Sequence, residues 1–267
     1  MLITLKNKKQ LNIDITGIGE NIVFIHSFLW DNKMWNPQIE ELSKNYRCIN
    51  IDLWGHGLSD SLKDMEKYSL EELAQDIKEA LEILNISSYN YIGLSVGGML
   101  GPILYSLDKD KLKKIVLMDS YAGLECENAK NLYFQMLEKV KLDRKVIPEL
   151  ANQIAPMFFA PENTSKNFQL LKDFYNHLIN IKEKNINTIA ALGKGIFGRK
   201  DSIHLLNKID IPTLFLVGEH DIPRPKEESI EMSELVKNSK LDFVPHSGHI
   251  SNLENSEFVT KKLKEFL

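Results

Sequence analysis

Short apolar runs of strand length alternate with longer helical patterns along much of this chain. The strand-sized runs are rich in β-branched or aromatic residues and cover residues 22–25, 48–51, 89–92, 115–118 and 213–217. Over residues 70–84, apolar residues recur at three- and four-residue steps, which predicts an amphipathic helix. Because neighbouring parallel strands need a crossover connection, this alternation predicts an α/β fold with a mostly parallel sheet covered on both faces.

Two stretches depart from this alternation. Residues 1–5 and 11–15 are short alternating runs separated by a lysine-rich turn, which predicts an antiparallel hairpin at a sheet edge. Between residues 118 and 211 there are helical patterns but no clear strand, and this distance is far longer than an ordinary loop. We expect a helical insertion there, divided by Pro148, Pro156 and Pro161.

Composition excludes several classes of protein. The 267 residues carry a net charge of −4, so neither nucleic acid nor an anionic membrane surface is an expected partner. No apolar run approaches the roughly 20 residues that span a bilayer, and the first residues lack a signal-peptide pattern. Cys48 and Cys126 fit neither a disulfide framework nor a metal motif. We therefore expect a soluble, cytoplasmic protein with reduced thiols and without a metal or cofactor.

The most informative motif is Gly-Leu-Ser-Val-Gly at residues 93–97, between a predicted strand and the apolar helical run 99–107. A sharp strand-to-helix turn presents the serine side chain, and flanking glycines remove the Cβ atoms that would otherwise collide. The motif predicts Ser95 as a nucleophile. The alternative is a small residue at a tight turn or a helix N-cap.

A serine nucleophile needs a histidine base, and the histidine needs an acid to orient it. His249 follows the apolar run 241–244 and precedes the last helical pattern, while Asp221 comes just after the strand at 213–217. Residues that follow strands of an open parallel sheet collect where ligands bind. We predict a catalytic set of Ser95, His249 and Asp221.

Other residues compete for these roles. Asp119 directly follows the strand at 115–118 and stays open as an alternative to Asp221. His220 and His246 lie within three residues of the favoured positions and are alternatives to His249. His26 and His56 have no acid at catalytic spacing, so we interpret them as loop histidines that bond to nearby backbone.

Five separated motifs occur in one order along residues 22–258. They are His26-Ser27-Phe28 with Trp35 beyond it, Asp52-Leu53-Trp54-Gly55-His56-Gly57-Leu58-Ser59, the Ser95 turn, Gly218-Glu219-His220-Asp221, and Gly248-His249 followed by Glu254. In these motifs the chain resembles the α/β-hydrolase superfamily, close to its small esterases, enol-lactonases and peroxidase-like hydrolases. Serine, aspartate and histidine in that chain order are typical of this fold. The resemblance implies an eight-stranded, mostly parallel sheet, with residues 1–121 and 203–267 as the core and 122–202 as a helical cap.

The resemblance also implies further site residues. It assigns the oxyanion hole to the backbone N–H groups of Phe28 and Val96, where Val96 opens a helix whose free amides favour an anion. Most relatives have glycine at the position of Ser27. We expect Ser27 and Trp30, near the oxyanion loop, and Phe158 and Phe159, in the cap, to bind substrate.

These features predict a cofactor-independent serine hydrolase that cleaves a small carboxylic ester, thioester or lactone through an acyl-enzyme. A serine nucleophile excludes the dehalogenases and epoxide hydrolases of the superfamily, which use aspartate. An enol-lactonase or carbon–carbon bond hydrolase of the same fold stays open. So does a small-molecule receptor or signalling protein that keeps the triad with little turnover. The pattern of the cap indicates neither the acyl nor the alcohol group, and nothing in the sequence indicates an oligomeric state.

Overall fold

The structure is a computed structural model that describes residues 1–62, 65–164 and 168–267. One sheet forms its centre, with strands in the order β1-β2-β4-β3-β5-β6-β7-β8. The strands are β1 (Leu2–Thr4), β2 (Gln10–Thr16), β3 (Glu20–Ile25), β4 (Tyr46–Ile51), β5 (Tyr89–Leu94), β6 (Leu112–Met118), β7 (Thr213–Gly218) and β8 (Ser239–Val244).

The helices are α1 (Asn36–Leu42), α2 (Leu70–Ile83), α3 (Val96–Asp108), α4 (Glu127–Asp143), α5 (Pro148–Ile154), α6 (Gln169–Ile179), α7 (Glu183–Phe197), α8 (Lys226–Leu235), α9 (Ser251–Glu254) and α10 (Ser256–Phe266). Four short 3-10 turns cover Asn32–Trp35, Ala155–Phe158, Pro161–Asn163 and Ile203–Lys208. In the part of the chain that the structure describes, no helix is both long and apolar enough to cross a membrane.

The sheet is parallel except at one edge. β1 pairs antiparallel with β2, and β2 pairs antiparallel with β4, while all other neighbours are parallel. The predicted edge hairpin and each predicted strand are present. The predicted α/β fold with an eight-stranded, mostly parallel sheet is confirmed.

Both faces of the sheet are covered by apolar side chains. Along β3, Val23 and Ile25 pack into one buried cluster, and Ile22 and Phe24 pack into the other. Successive side chains of a strand point to opposite faces, so a continuous apolar run is the pattern that two covered faces require. The carboxyl ends of the parallel strands then meet along one edge, where loops leave the sheet.

The helix predicted over residues 70–84 is α2. Ser69 and Glu72 form a reciprocal capping box that defines its first turn. Its apolar stripe, which includes Leu73, Ile77 and Leu81, is buried against the sheet. The three- and four-residue spacing therefore indicated the helix and its buried face correctly.

Helices α4 to α7 lie between β6 and β7, and we call them the inserted helices. The described residues between these two strands form helices and turns and no strand, as the sequence predicted. Pro148, Pro156 and Pro161 each lie at the beginning of a helix or turn, where a missing N–H is tolerated. Whether residues 122–202 form a separate cap stays a prediction.

Candidate active site

Ser95 occupies the turn between β5 and α3. Its backbone angles, φ 58° and ψ −116°, lie in a region that residues other than glycine rarely adopt. A Cβ at Gly93 would lie 2.3 Å from the Gly97 carbonyl, and one at Gly97 would lie 2.4 Å from the Ile25 carbonyl oxygen. Glycine is therefore required at both positions by close backbone approach. The Ser95 N–H donates to the Met118 carbonyl at 2.8 Å, which fixes the turn to β6.

The structure brings Ser95, His249 and Asp221 together. His249 Nε2 lies 2.9 Å from Ser95 Oγ, and His249 Nδ1 lies 2.9 Å from Asp221 Oδ2 and 3.1 Å from Oδ1. All three side chains are buried. Because the carboxylate accepts from Nδ1, Nε2 is the nitrogen that can take a proton from the serine. This geometry permits proton transfer from Ser95 to His249.

Asp119, the alternative acid, has other partners. Its Oδ1 accepts the Gly218 N–H at 2.8 Å and its Oδ2 accepts the Ser251 hydroxyl at 2.6 Å. Complete burial, together with the negative charge of Asp221, raises the pKa of Asp119 well above its usual value. Asp221 is therefore the carboxylate that accepts from His249, while Asp119 joins the end of β7 to Ser251, two residues after His249.

His220 and His246, the alternative bases, do not face Ser95. His246 Nδ1 lies 3.0 Å from Glu162 Oε1, and His220 Nε2 lies 3.8 Å from Glu162 Oε2. Both histidine side chains are exposed. The hydrogen bond to the serine therefore belongs to His249.

His26 and His56 bond to nearby backbone, as the sequence predicted. The Nε2 atoms accept backbone N–H groups, His26 from Leu53 at 2.9 Å and His56 from Leu29 at 3.2 Å. Their Nδ1 atoms lie 2.7 Å and 2.9 Å from carbonyl oxygens. Each ring must therefore be neutral, with the proton on Nδ1. Burial lowers the pKa of both histidines, that of His56 to about 3.

The predicted oxyanion donors are placed beside this arrangement. Val96 is the first residue of α3, and among the described residues no hydrogen-bond partner is found for its N–H or for the Phe28 N–H. Leu29, with a φ of 67°, turns the loop directly after Phe28. Phe28 lines the same cavity as Ser95. Two free amides near a serine could stabilise a developing oxyanion, and this role stays a prediction.

A cavity of about 100 Å³ opens over Ser95 and His249. Its walls are almost entirely apolar and come largely from the segment between β6 and β7, to which α4 and α7 contribute four lining residues each. An apolar cavity of about 150 Å³ holds a benzene ring. The space over the serine therefore suits a group of only a few carbon atoms.

Only one of the four side chains expected to bind substrate lines this cavity. Phe158 does, and its ring centroid lies 5.5 Å from that of His249. Ser27 is fully buried beneath the loop, Trp30 stacks on Phe174 at 4.3 Å, and Phe159 is buried against neighbouring aromatic rings. Ser27, Trp30 and Phe159 therefore pack around the site without lining the cavity, and a role for them in binding substrate stays a prediction.

Several cavity residues were not predicted from the sequence, although the spacing of apolar residues could have indicated them. In α4, the lining residues Tyr133, Met136, Leu137 and Val140 follow the three- and four-residue spacing of one helix face. Arg224 also lines the cavity. It is a charged residue three positions after Asp221, and that proximity was the available clue.

Comparisons with known proteins agree on the fold. A family model described as "alpha/beta hydrolase fold" matches residues 20–256. The chain is 28% identical to 3-oxoadipate enol-lactonase 1 of Acinetobacter baylyi over 261 residues, which cover 96% of this chain and 92% of that protein. It is 26% identical to the Karrikin insensitive 2 receptor CA of Petunia hybrida, over 93% of this chain and 92% of that protein. A thermophilic esterase from Thermogutta terrifontis superposes with a TM-score of 0.89 at 26% identity, covering 99% and 96% of the two chains.

Proposed function

The chain belongs to the alpha/beta hydrolase fold family, and from this premise we propose that it is a cofactor-independent serine hydrolase of a small carboxylic ester, thioester or lactone. One observation carries the proposal: His249 Nε2 lies 2.9 Å from Ser95 Oγ while Asp221 holds the other ring nitrogen. A histidine held in this way can take the serine proton as the oxygen attacks a carbonyl carbon.

The proposed reaction has two halves. Ser95 Oγ bonds to the carbonyl carbon as its proton passes to His249, and the N–H groups of Phe28 and Val96 stabilise the oxyanion. The imidazolium then protonates the leaving alcohol or thiol, and an acyl-enzyme remains. Water attacks that ester with His249 as base, and the acid leaves as Ser95 regains its proton. Asp221 stays ionised throughout and stabilises the imidazolium.

The cavity supports a small substrate. Its volume of about 100 Å³ and apolar walls suit a short acyl or alkyl group. We propose that residues 122–202 act as a cap that selects this group and keeps bulk water from the serine. The leaving group would depart through this cavity, and the attacking water would enter through it.

A second candidate is an enol-lactonase. The similarity to the enol-lactonase of Acinetobacter baylyi over nearly the whole chain favours it. An enol-lactone is a cyclic ester, so the same serine, base and oxyanion donors would open its ring. A panel of short aryl esters, saturated lactones and an enol-lactone would rank the substrates. Ring opening of the enol-lactone well above all other rates would favour this candidate.

The test of the proposed function is Ser95→Ala. We expect loss of labelling by a serine-directed phosphonate and a fall of at least about 1,000-fold in kcat for p-nitrophenyl acetate. Ser106→Ala, which removes an exposed serine from α3, is the matched control and should keep both. Sustained hydrolysis by Ser95→Ala would refute the proposal. If the wild type gave a single burst without turnover, together with a ligand-dependent rise in Tm, a receptor role would be favoured. The similar protein from Petunia hybrida is named as a receptor.

A further inference from the structure

Four charged side chains form a cluster against one wall of the cavity. The cluster consists of Glu125, Arg199, Arg224 and Glu228, and the first three are more than nine-tenths buried. Two of them, Glu125 and Arg224, line the cavity itself. In walls that are otherwise almost entirely apolar, burying an arginine costs free energy unless its charge and N–H groups are used.

The hydrogen bonds of Arg224 leave one nitrogen without a partner. Its Nε donates to the Pro223 carbonyl, and its Nη2 donates to Glu125 Oε1. Its Nη1 is buried and has no hydrogen-bond partner among the residues that the structure describes. A guanidinium presents its donors as a planar fork that fits a carboxylate. Arg224, a residue of the cavity wall, therefore has a guanidinium nitrogen whose N–H groups are unused.

Glu125 cannot neutralise both arginines. Its Oε1 bonds to Arg224 and its Oε2 bonds to Arg199 at 3.2 Å, so one carboxylate serves two guanidinium groups. The remaining acid, Glu228, lies with Oε2 3.6 Å from Arg224 Nε. Burial raises the pKa of Glu228 to about 7, so this carboxyl is only partly ionised at neutral pH. Among these four side chains, two guanidinium groups therefore face one carboxylate and a second, partly ionised one.

Arg224 is tied to the catalytic residues through its backbone. The Arg224 N–H donates to Asp221 Oδ1 at 2.9 Å, in the turn that follows β7. Ser95, His249 and Arg224 all line the same cavity. A ligand held by the guanidinium would therefore lie in the space that adjoins the nucleophile.

We propose that Arg224 binds a carboxylate carried by the substrate, so that the preferred substrates are small esters or lactones with a free acid group. The inference rests on the proposed function and narrows its substrate class. The substrate carboxylate would accept hydrogen bonds from the unused N–H groups of Arg224, as a second carboxylate beside the two guanidinium groups. The apolar walls would hold the short carbon chain between the acid group and the reacting carbonyl.

The test compares matched pairs of esters. Mono-p-nitrophenyl succinate against p-nitrophenyl valerate places the acid group on the acyl side. For the alcohol side, 4-acetoxybutyrate is compared with 4-acetoxybutyramide by the release of acetate. We expect the wild type to favour the acid in at least one pair. Arg224→Met should lower that preference, measured as the ratio of the two kcat/KM values, by about 10- to 100-fold, as expected for loss of a hydrogen bond between charged groups.

Two further variants separate recognition from structural damage. Arg199→Met removes the same charge and the same kind of contact with Glu125, but Arg199 does not line the cavity. It keeps the Arg224 guanidinium in the cavity wall, so it should lower the ratio less than Arg224→Met does. Arg224→Lys keeps the charge without the planar fork and should restore part of the preference. An equal loss of the ratio in Arg199→Met and Arg224→Met would overturn the inference.

A binding measurement keeps the inference testable if Arg224→Met does not fold. Glutarate should bind the wild-type protein more tightly than glutaramide in calorimetry, and equal binding together with no acid preference in either ester pair would overturn the subsite. The two proposals also fail differently. Turnover of neutral esters through Ser95 without any acid preference removes only the carboxylate subsite. Glutarate binding that depends on Arg224, without ester turnover, removes only the hydrolase.

Discussion

The loop that carries the Phe28 amide depends on two neutral histidines. His56 accepts the N–H of Leu29, the residue after Phe28, and His26 joins the beginning of the same loop to Leu53. Protonation of either Nε2 would replace an acceptor with a donor facing another donor. Because each ring is buried, the folded protein resists that protonation, as the lowered pKa values indicate.

This arrangement predicts loss of stability in acid. An unfolded histidine has a pKa near 6.5, whereas that of folded His56 is about 3. The stabilisation is complete above pH 6.5 and declines as the pH falls towards 3, by roughly 1.4 kcal/mol per pH unit for one such histidine. Urea unfolding at pH 7.5, 6 and 5 measures the slope. We expect His56→Gln, whose amide does not titrate, to show a weaker decline than the wild type.

The matched control is His204→Gln, because His204 is an exposed histidine. Its unfolding free energy should follow the wild-type pH dependence. Buried carboxyls with a raised pKa, such as Glu228, act in the opposite direction, so the difference between variant and wild type is the quantity to compare. An identical pH slope in His56→Gln and the wild type would contradict the assigned protonation state.

Among the helices, α7 is held against the segment before α2 by hydrogen bonds and by one close backbone contact. Thr188 exchanges hydrogen bonds with the backbone of Leu62, and the Tyr68 N–H donates to the Ala191 carbonyl at 3.0 Å. A Cβ at Gly195 would lie only 1.7 Å from the Tyr68 carbonyl oxygen. The Tyr68 backbone cannot move aside as easily as a flexible side chain. The absence of a Cβ at Gly195 therefore allows the close approach of α7 to the segment before α2.

Gly195→Ala should therefore displace α7. We expect the unfolding free energy to fall by about 1–3 kcal/mol from overpacking, and kcat/KM to fall because α7 lines the cavity with Ile189 and Ile196. Asn187→Ala, at an exposed position of the same helix, should change neither quantity appreciably. Urea unfolding and ester hydrolysis measure the two effects. Wild-type stability in Gly195→Ala would show that the contact can relax without cost.

In the molecule as a whole, Glu254 joins the inserted helices to the loop that carries His249. Its Oε1 accepts the Ala160 N–H at 2.9 Å and the Asn163 side-chain amide at 2.7 Å, and its Oε2 accepts the Gly248 N–H at 2.7 Å. Gly248 directly precedes His249. One carboxylate thus fixes a turn of the insertion relative to His249, the proposed base.

Glu254→Ala should loosen both parts together. Each lost hydrogen bond to a charged group is worth about 1.5–3 kcal/mol, so we expect a lower Tm, a lower kcat and faster protease cleavage near residues 155–163. Glu257→Ala removes an exposed acid of α10 and is the charge-matched control. If Glu254→Ala had the same Tm and kcat as Glu257→Ala, the Glu254 hydrogen bonds would contribute to neither stability nor turnover, which contradicts the prediction.

The order of strands and helices and the placement of the serine could be predicted from the sequence alone. These features depend on local signals: apolar periods near 2 and 3.6 residues, and glycines on either side of Ser95. The sequence also indicated His249 and Asp221, since each follows a strand whose end lies at the ligand-binding edge of a parallel sheet. Local backbone preferences and burial were sufficient for these conclusions.

Which side chains face each other across that edge follows from the tertiary structure. Asp221 accepts from His249, whereas Asp119 joins the end of β7 to the beginning of α9. Phe158 and Arg224 lie in the cavity wall, whereas Trp30 and Phe159 pack behind it. Side-chain direction depends on how distant elements pack against each other, and residue spacing along the chain does not contain that information.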